Sequence, residues 1–121
     1  MLRRGDKPLH WVASAKRDLL GFDEQVVDDI GYALGVVQLG GIPPNCKAWK
    51  GEGAGVFEVV EDHRGDTYRA VYTVRFVQAI YVLHCFQKKS PSGIRTAKTD
   101  IDLIHARLKL AQSDYESHYE K

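Results

Sequence analysis

The 121-residue sequence contains little cysteine and no long apolar run. Its two cysteines, Cys46 and Cys85, cannot form a disulfide framework and do not have the spacing of zinc ligands. The longest apolar run, residues 79–83, is too short to cross a bilayer. The basic residues near the start are not followed by the apolar segment of a signal peptide. We therefore expect a cytoplasmic protein with reduced thiols and no membrane contact.

The length suits one compact domain, so we interpret residues 1–121 as a single domain. A content of 44% apolar and 27% charged residues is typical of a folded protein. The net charge of +1 conceals an asymmetry, because residues 45–98 carry nine Lys/Arg against five Asp/Glu while both flanking segments are net acidic. A basic segment favours an anionic partner such as nucleic acid, although many ordinary surfaces carry an excess of this size.

Apolar periodicity predicts an α+β fold. Residues 9–13, 56–61, 67–76 and 79–87 have strand patterns, and residues 46–50 are a candidate short strand. Helical spacing covers residues 15–21 and 24–39, and a last helix is capped by Thr96 or Thr99. Gly31 and Gly35 share one face of the second helix, where they would allow a neighbouring element to approach closely. The predicted order is β-α-α-β-β-β-α, a mainly antiparallel sheet packed against an N-terminal helical hairpin and a C-terminal helix.

Several stretches together resemble the RelE/HigB superfamily of toxins, and more narrowly its phage-derived, HigB-like branch. They are IGYAL in the second helix, PPNCKAWKG, DTYRAVYTVRF, YVLHCFQKKS and the DIDLI that opens the last helix. The resemblance covers nearly the whole chain. It implies that residues 1–121 form one RelE-like toxin domain of a type II toxin–antitoxin module.

The resemblance also implies an activity and its partners. Toxins of this kind are usually ribosome-dependent mRNA endonucleases that block translation without a metal or other cofactor. They are neutralised by a small helix-turn-helix antitoxin, and they reach operator DNA only through it. Two alternatives stay open on the same scaffold. One is a ParE-like toxin that inhibits gyrase, and the other is an inactive module that binds its antitoxin and represses its operon.

Metal-free RNA cleavage uses the substrate's 2′-hydroxyl as nucleophile, and it sets three tasks for the protein. The protein must help remove that proton, stabilise negative charge on the phosphate oxygens and protonate the leaving 5′-oxygen. Arginine suits the second task because its planar, permanently charged fork matches phosphate oxygens. Lysine can transfer protons only where burial or neighbouring cations lower its pKa.

The resemblance places the catalytic residues at Arg69, Lys88 and Lys89. Arg69 matches the arginine of the family's penultimate core strand and is expected to clamp phosphate. The alternative is a surface arginine paired with Glu58 or Glu61. Because adjacent strand residues point to opposite faces, only one of the two lysines enters the site, and we favour Lys88. The alternative for both lysines is a solvated pair at a strand end.

A second set of residues is predicted to contact RNA. Lys47 and Lys50 match basic positions of the family, and either could be the general base; otherwise they are ordinary loop lysines. Gln87 would bond to a base or simply end its strand. The group that protonates the leaving oxygen is unassigned, because the region after the last strand has no Tyr or His. The predicted RNA-binding residues are Lys47, Lys50, Arg75, Gln87 and Arg95.

Aromatic and histidine side chains receive structural interpretations. Tyr72 and Phe86 could stack on a nucleotide, but aromatic residues in strands more often belong to the core. His84 lies within an apolar run and is interpreted as a neutral, hydrogen-bonded core histidine. His63 sits beside acidic residues whose spacing matches no metal motif, so no metal site is predicted.

Overall fold

The computed structural model describes residues 6–88 and 96–120. Two short strands lie at the edges of the sheet. Three longer strands follow one another in the middle of the chain, and the longest helix comes last. The elements are β1 (Leu9–Trp11), α1 (Ala15–Leu20), α2 (Glu24–Gln38), β2 (Cys46–Ala48), β3 (Val56–His63), β4 (Asp66–Thr73), β5 (Ile80–Lys88) and α3 (Lys98–Tyr119).

The five strands form one sheet in the order β1-β5-β4-β3-β2. All neighbouring strands are antiparallel except β1, which pairs with β5 in parallel. The α+β class and the mainly antiparallel sheet are therefore as predicted. The predicted order β-α-α-β-β-β-α has one strand too few, because the segment Cys46–Ala48 pairs with β3 as a full member of the sheet.

Helices cover both faces of the sheet and enclose two apolar cores. The helical hairpin of α1 and α2 packs on one face, where Leu19 and Ile30 meet Val59 and Tyr72. On the other face, α3 packs through a stripe of buried residues at helical spacing. That stripe comprises Ile104, Leu108, Ala111 and Tyr115.

A β-bulge in β5 adapts this strand to its packing against α3. Val71 of β4 lies opposite His84 while Tyr72 lies opposite Val82, so Leu83 is an extra residue without a partner in the ladder. The bulge lets Leu83 and its neighbour His84 both face α3, which strict alternation would forbid.

His84 belongs to a buried polar network that joins α3 to the sheet and to α1. Its Nε2 lies 2.7 Å from Asp100 Oδ1, and its Nδ1 lies 3.1 Å from Arg107 Nη1. Because a guanidinium can only donate, Nδ1 accepts and the ring proton sits on Nε2. Arg107 also donates to the carbonyl of Leu83 and to the Ser14 hydroxyl. The prediction of a satisfied core histidine is confirmed.

Replacing Arg107 by methionine is expected to lower the free energy of unfolding by about 3 kcal/mol, because several buried acceptors lose their donor at once. Urea denaturation measures this loss. The exposed Lys109 on the same helix is a matched control, and Lys109→Met should change stability by no more than about 0.5 kcal/mol. Equal stability of the two variants would show that the network is energetically neutral.

Candidate functional site: a basic cleft around a buried ion pair

The strand register assembles a row of charges on the α3 face of the sheet. Lys47 of β2 lies directly opposite Glu58 of β3, which in turn lies opposite Val71 of β4. Arg69, two residues before Val71, is therefore the diagonal neighbour of Glu58 on the same face. The register of β4 and β5 places Lys88 diagonally across from Arg69. Four strands thus contribute the series Lys, Glu, Arg, Lys.

Arg69 and Glu58 form a buried ion pair at the centre of this row. Their exposed fractions are only 9% and 5%, and Arg69 Nη1 donates to Glu58 Oε1. Among the described residues, the buried Nε of Arg69 has no hydrogen-bond partner. The alternative interpretation, a surface arginine paired with Glu58 or Glu61, is right about Glu58 as the partner but wrong about the surface, because the pair is buried. The ion pair fixes the direction of the guanidinium and leaves it donor capacity for another anion.

Lys88 lies at the end of β5, beside this ion pair. Burial, the Arg69 guanidinium and the Lys47 ammonium lower the pKa of Lys88, and the Glu58 carboxylate partly opposes them. Each influence has a simple origin: desolvation and like charges disfavour the protonated amine, whereas an anion favours it. A lysine with a lowered pKa transfers protons more readily near neutral pH.

These side chains line an open cleft of about 820 Å³ between the end of the sheet and the start of α3. One wall is the segment from Lys47 to Lys50, and the other comes from Thr96, Lys98 and Ile101. Within the described part of the chain, the lining contains five cations and one carboxylate, that of Glu58. The five cations are Lys47, Lys50, Arg69, Lys88 and Lys98.

Trp49 holds the lysine-bearing wall in place. Its side chain is buried in the core below α3, and its backbone N–H donates to the carbonyl of Val56 at 2.9 Å. With Trp49 anchored, the neighbouring Lys47 and Lys50 are left exposed at the cleft. The wall therefore combines a fixed backbone with long, mobile cationic side chains.

The structure brings together four of the predicted site residues, Lys47, Lys50, Arg69 and Lys88. Gln87 does not join them. It lies opposite Tyr68, whose ring packs in the core on the α1–α2 face. Gln87 therefore faces away from the cleft, as alternation requires for a neighbour of Lys88. The predicted residues Lys89 and Arg95 lie outside the described residues.

Arg75 is also absent from the cleft lining, because it braces the glycine-rich loop. Its Nη2 donates to the carbonyls of Glu52 and Ala54 at 2.6 and 2.9 Å. Gly55 has φ 86°, and a Cβ there would lie 2.9 Å from the Cβ of Arg75. Arg75 follows the end of β4 at Thr73 and lines a separate pocket with His105 and Lys109, so it lies on the α3 side of the sheet but away from the cleft.

Burial and contacts test the structural interpretations of Tyr72, Phe86 and His63. Tyr72 and Phe86 are buried in the two cores, which confirms their structural interpretation. His63 Nε2 lies 3.0 Å from Asp23 Oδ2 in an exposed pair. Across residues 6–88 and 96–120 there is no group of three His, Cys, Asp or Glu side chains that could hold a metal ion.

The cysteines are free thiols. Cys85 of β5 is buried against the helical hairpin, and that burial raises the pKa of its thiol to about 12. Cys46 is half-buried on β2 and contacts Tyr72, whose pKa is raised by burial and by that contact. Cys85 is therefore protonated at neutral pH and unsuited to thiolate chemistry.

Glu58, Lys98 and Ile101 are among the cleft residues that were missed from the sequence. Glu58 was considered only as a partner of Arg69, although its alternation with Val56 places it on the cleft face of β3. Lys98 and Ile101 belong to the first turn of α3, and their position depends on how α3 docks on β5. Lys98 also pairs with Asp102 at 2.9 Å, an exposed contact one helical turn away.

None of the described helices has the length and apolar character needed to cross a membrane. A family model described as "Phage derived protein Gp49-like (DUF891)" matches residues 17–109, which is more than half of the chain. Comparison with the curated proteins and with the solved structures gave no significant match.

Proposed function

Because the chain belongs to the Gp49-like family of phage-derived proteins, we propose that it is the toxin of a type II toxin–antitoxin module. Its activity is metal-independent cleavage of mRNA on the ribosome, in the cytoplasm, and its neutralising partner is a small helix-turn-helix antitoxin. The observation that carries the proposal is the cleft itself, in which five cations surround one buried carboxylate. Such a site suits a polyanion and a reaction that builds negative charge on phosphate.

The proposed reaction is attack of the 2′-oxygen on the adjacent phosphorus. A bond forms between that oxygen and phosphorus, the bond to the 5′-oxygen breaks, and the products are a 2′,3′-cyclic phosphate and a 5′-hydroxyl. Arg69 stabilises the additional charge on the phosphate oxygens. Its ion pair with Glu58 orients the fork before substrate arrives, so little reorganisation is needed in the transition state.

Two residues carry the proton transfers in this proposal. Lys88 donates a proton to the leaving 5′-oxygen, since burial and Arg69 lower its pKa. Glu58 accepts the 2′-hydroxyl proton, because a carboxylate is the ordinary acceptor for a hydroxyl and Glu58 lies beside Arg69. Lys47 and Lys50, the bases first considered, then bind the RNA backbone from the exposed wall.

Induced expression in a bacterial host, followed by growth and by mapping of mRNA 5′-ends, tests the proposal. We expect growth arrest together with new ends inside translated frames. Arrest without new ends would contradict the nuclease and favour gyrase inhibition. Soluble protein that causes no arrest would contradict any toxin activity and favour a binding module.

A pH profile tests the proton-donor role of Lys88. Because the donor must be protonated, kcat should fall as the pH rises through the lowered pKa of Lys88. In Lys47→Gln one of the charges that lower this pKa is gone, so the fall should move to higher pH. Single-turnover cleavage on programmed ribosomes measures the midpoint. The exposed Lys16 of α1 gives the control, and an equal shift in Lys16→Gln would contradict the assignment.

A further inference from the structure

A second surface, on the α1–α2 face of the sheet, has the opposite character to the cleft. The outer side of α2 exposes Tyr32 at 77%, and Ile42 just beyond the helix is 83% exposed. A Cβ added at Gly31 or Gly35 would meet no atom within 4 Å. The close approach that these glycines permit is therefore not used by any described element of the chain.

Beside this helix face runs a groove of about 300 Å³, which we call the α2 groove. Tyr32 and Val36 form one side, and the loop after the helix forms the other with Pro43 and Pro44. At one end the floor is polar, because Asp29 of α2 and Glu61 of β3 both line it. The groove thus has an apolar length and an acidic end.

At the acidic end, the carboxyl groups of Asp29 and Glu61 lie close to each other. Burial and the Asp29 carboxylate raise the pKa of Glu61, while Asn45 Nδ2 donates to Glu61 Oε2 at 2.9 Å and opposes them. The α2 segment adds to the negative field, since residues 23–38 include four Asp or Glu and no Lys or Arg. Two carboxylates facing each other are relieved when a cation sits between them.

We propose that the α2 groove docks a basic amphipathic helix of a partner protein. Its Lys or Arg meets Asp29 and Glu61, and its apolar residues cover Tyr32 and Val36. Nucleic acid does not fit, because the same carboxylates repel phosphate. Apolar centres with exposed aromatic residues and a charged rim are typical of protein interfaces.

The location has a consequence for inhibition. Glu61 points to the α1–α2 face of β3, whereas Glu58 lines the cleft on the α3 face, so the two sites lie on opposite sides of the sheet. If the docked partner is the antitoxin, which rests on the proposed function, it leaves the cleft open.

Binding of a labelled model peptide tests the groove without any nuclease assay. The probe is a Leu/Lys amphipathic helix of about 20 residues, and a Leu/Glu helix of the same pattern is its control. Fluorescence anisotropy at roughly 0.15 M salt gives the affinity, and backbone amide NMR shifts give the location. We expect binding of the Leu/Lys peptide, shifts on α2 and no binding of the Leu/Glu peptide.

Variants of the α2 groove, together with a matched control variant, test whether the peptide binds there. Asp29→Asn/Glu61→Gln should weaken binding about tenfold or more, as should Tyr32→Ser alone. The control Asp66→Asn/Glu120→Gln removes two exposed acids elsewhere and should bind like the wild type. Equal affinity across all variants would overturn the proposal, as would competition by a non-cleavable 2′-O-methyl RNA. Because folding is checked by thermal denaturation and no activity is measured, failure here is distinct from failure of the nuclease assignment.

Discussion

Arg69→Lys is expected to lower the rate of mRNA cleavage by about 10²–10³-fold, while the protein stays folded. Lysine keeps the positive charge opposite Glu58 and so preserves the buried ion pair. It lacks the planar fork, however, and cannot present parallel N–H groups to phosphate oxygens while it holds a carboxylate. Single-turnover cleavage on programmed ribosomes measures the loss, and urea denaturation confirms the fold.

Arg69→Ala is harder to interpret than Arg69→Lys, because it is expected to change stability as well as activity. It leaves the carboxylate of Glu58 buried without its cation, which is expected to destabilise the protein by about 3–5 kcal/mol. Arg17, exposed on α1, provides the control: Arg17→Lys should cleave at the wild-type rate. Full activity of Arg69→Lys would show that a simple point charge suffices, and it would remove Arg69 from the role of clamp.

Glu58→Gln is expected to reduce kcat by about 10²–10⁴-fold, because the amide keeps the size of the side chain but cannot take the 2′-hydroxyl proton. A purely positioning role would instead raise KM and leave kcat nearly unchanged. Separate measurement of kcat and KM for the wild type and the variant distinguishes the two roles.

The neighbouring carboxylate of Glu61 supplies the matched control. It lies on the same strand but on the other face of the sheet, so Glu61→Gln should leave the cleavage rate and its pH profile unchanged. A kcat of Glu58→Gln equal to that of the wild type would assign the base to another group. Lys47 and Lys50, on the facing wall, would then be the next residues to replace.

Much of this site follows from simple alternation along the strands. Period-two counting places Arg69 on one face of β4 and allows only one of two adjacent lysines to share it. The same rule excludes Gln87 once Lys88 is chosen. It does not apply beyond Thr73, where the strand ends and the loop carbonyls of Glu52 and Ala54 accept hydrogen bonds from Arg75. That contact joins residues more than 20 positions apart, so no local pattern in the sequence indicates it.

The second wall of the cleft could not be predicted for a related reason. Lys98 and Ile101 become part of the site only because α3 packs on β5, with Ile104 buried between them. Helical periodicity identifies the buried stripe of α3 but not the position of its first turn along the sheet. The β-bulge at Leu83 could not be predicted either, since residues 79–83 are all apolar and their pattern does not show which face each one occupies.

The parallel pairing of β1 with β5 joins two strands that are far apart along the chain. Strands β3, β4 and β5 are consecutive and antiparallel, so their contacts close short loops and can form early. The partner of Leu9 is Ile80, and this contact must close a loop of most of the chain, at a greater entropic cost. The first turn of α3 supplies one wall of the cleft, and it follows every strand along the chain. A growing chain that has not yet reached α3 therefore carries only the wall that the sheet provides.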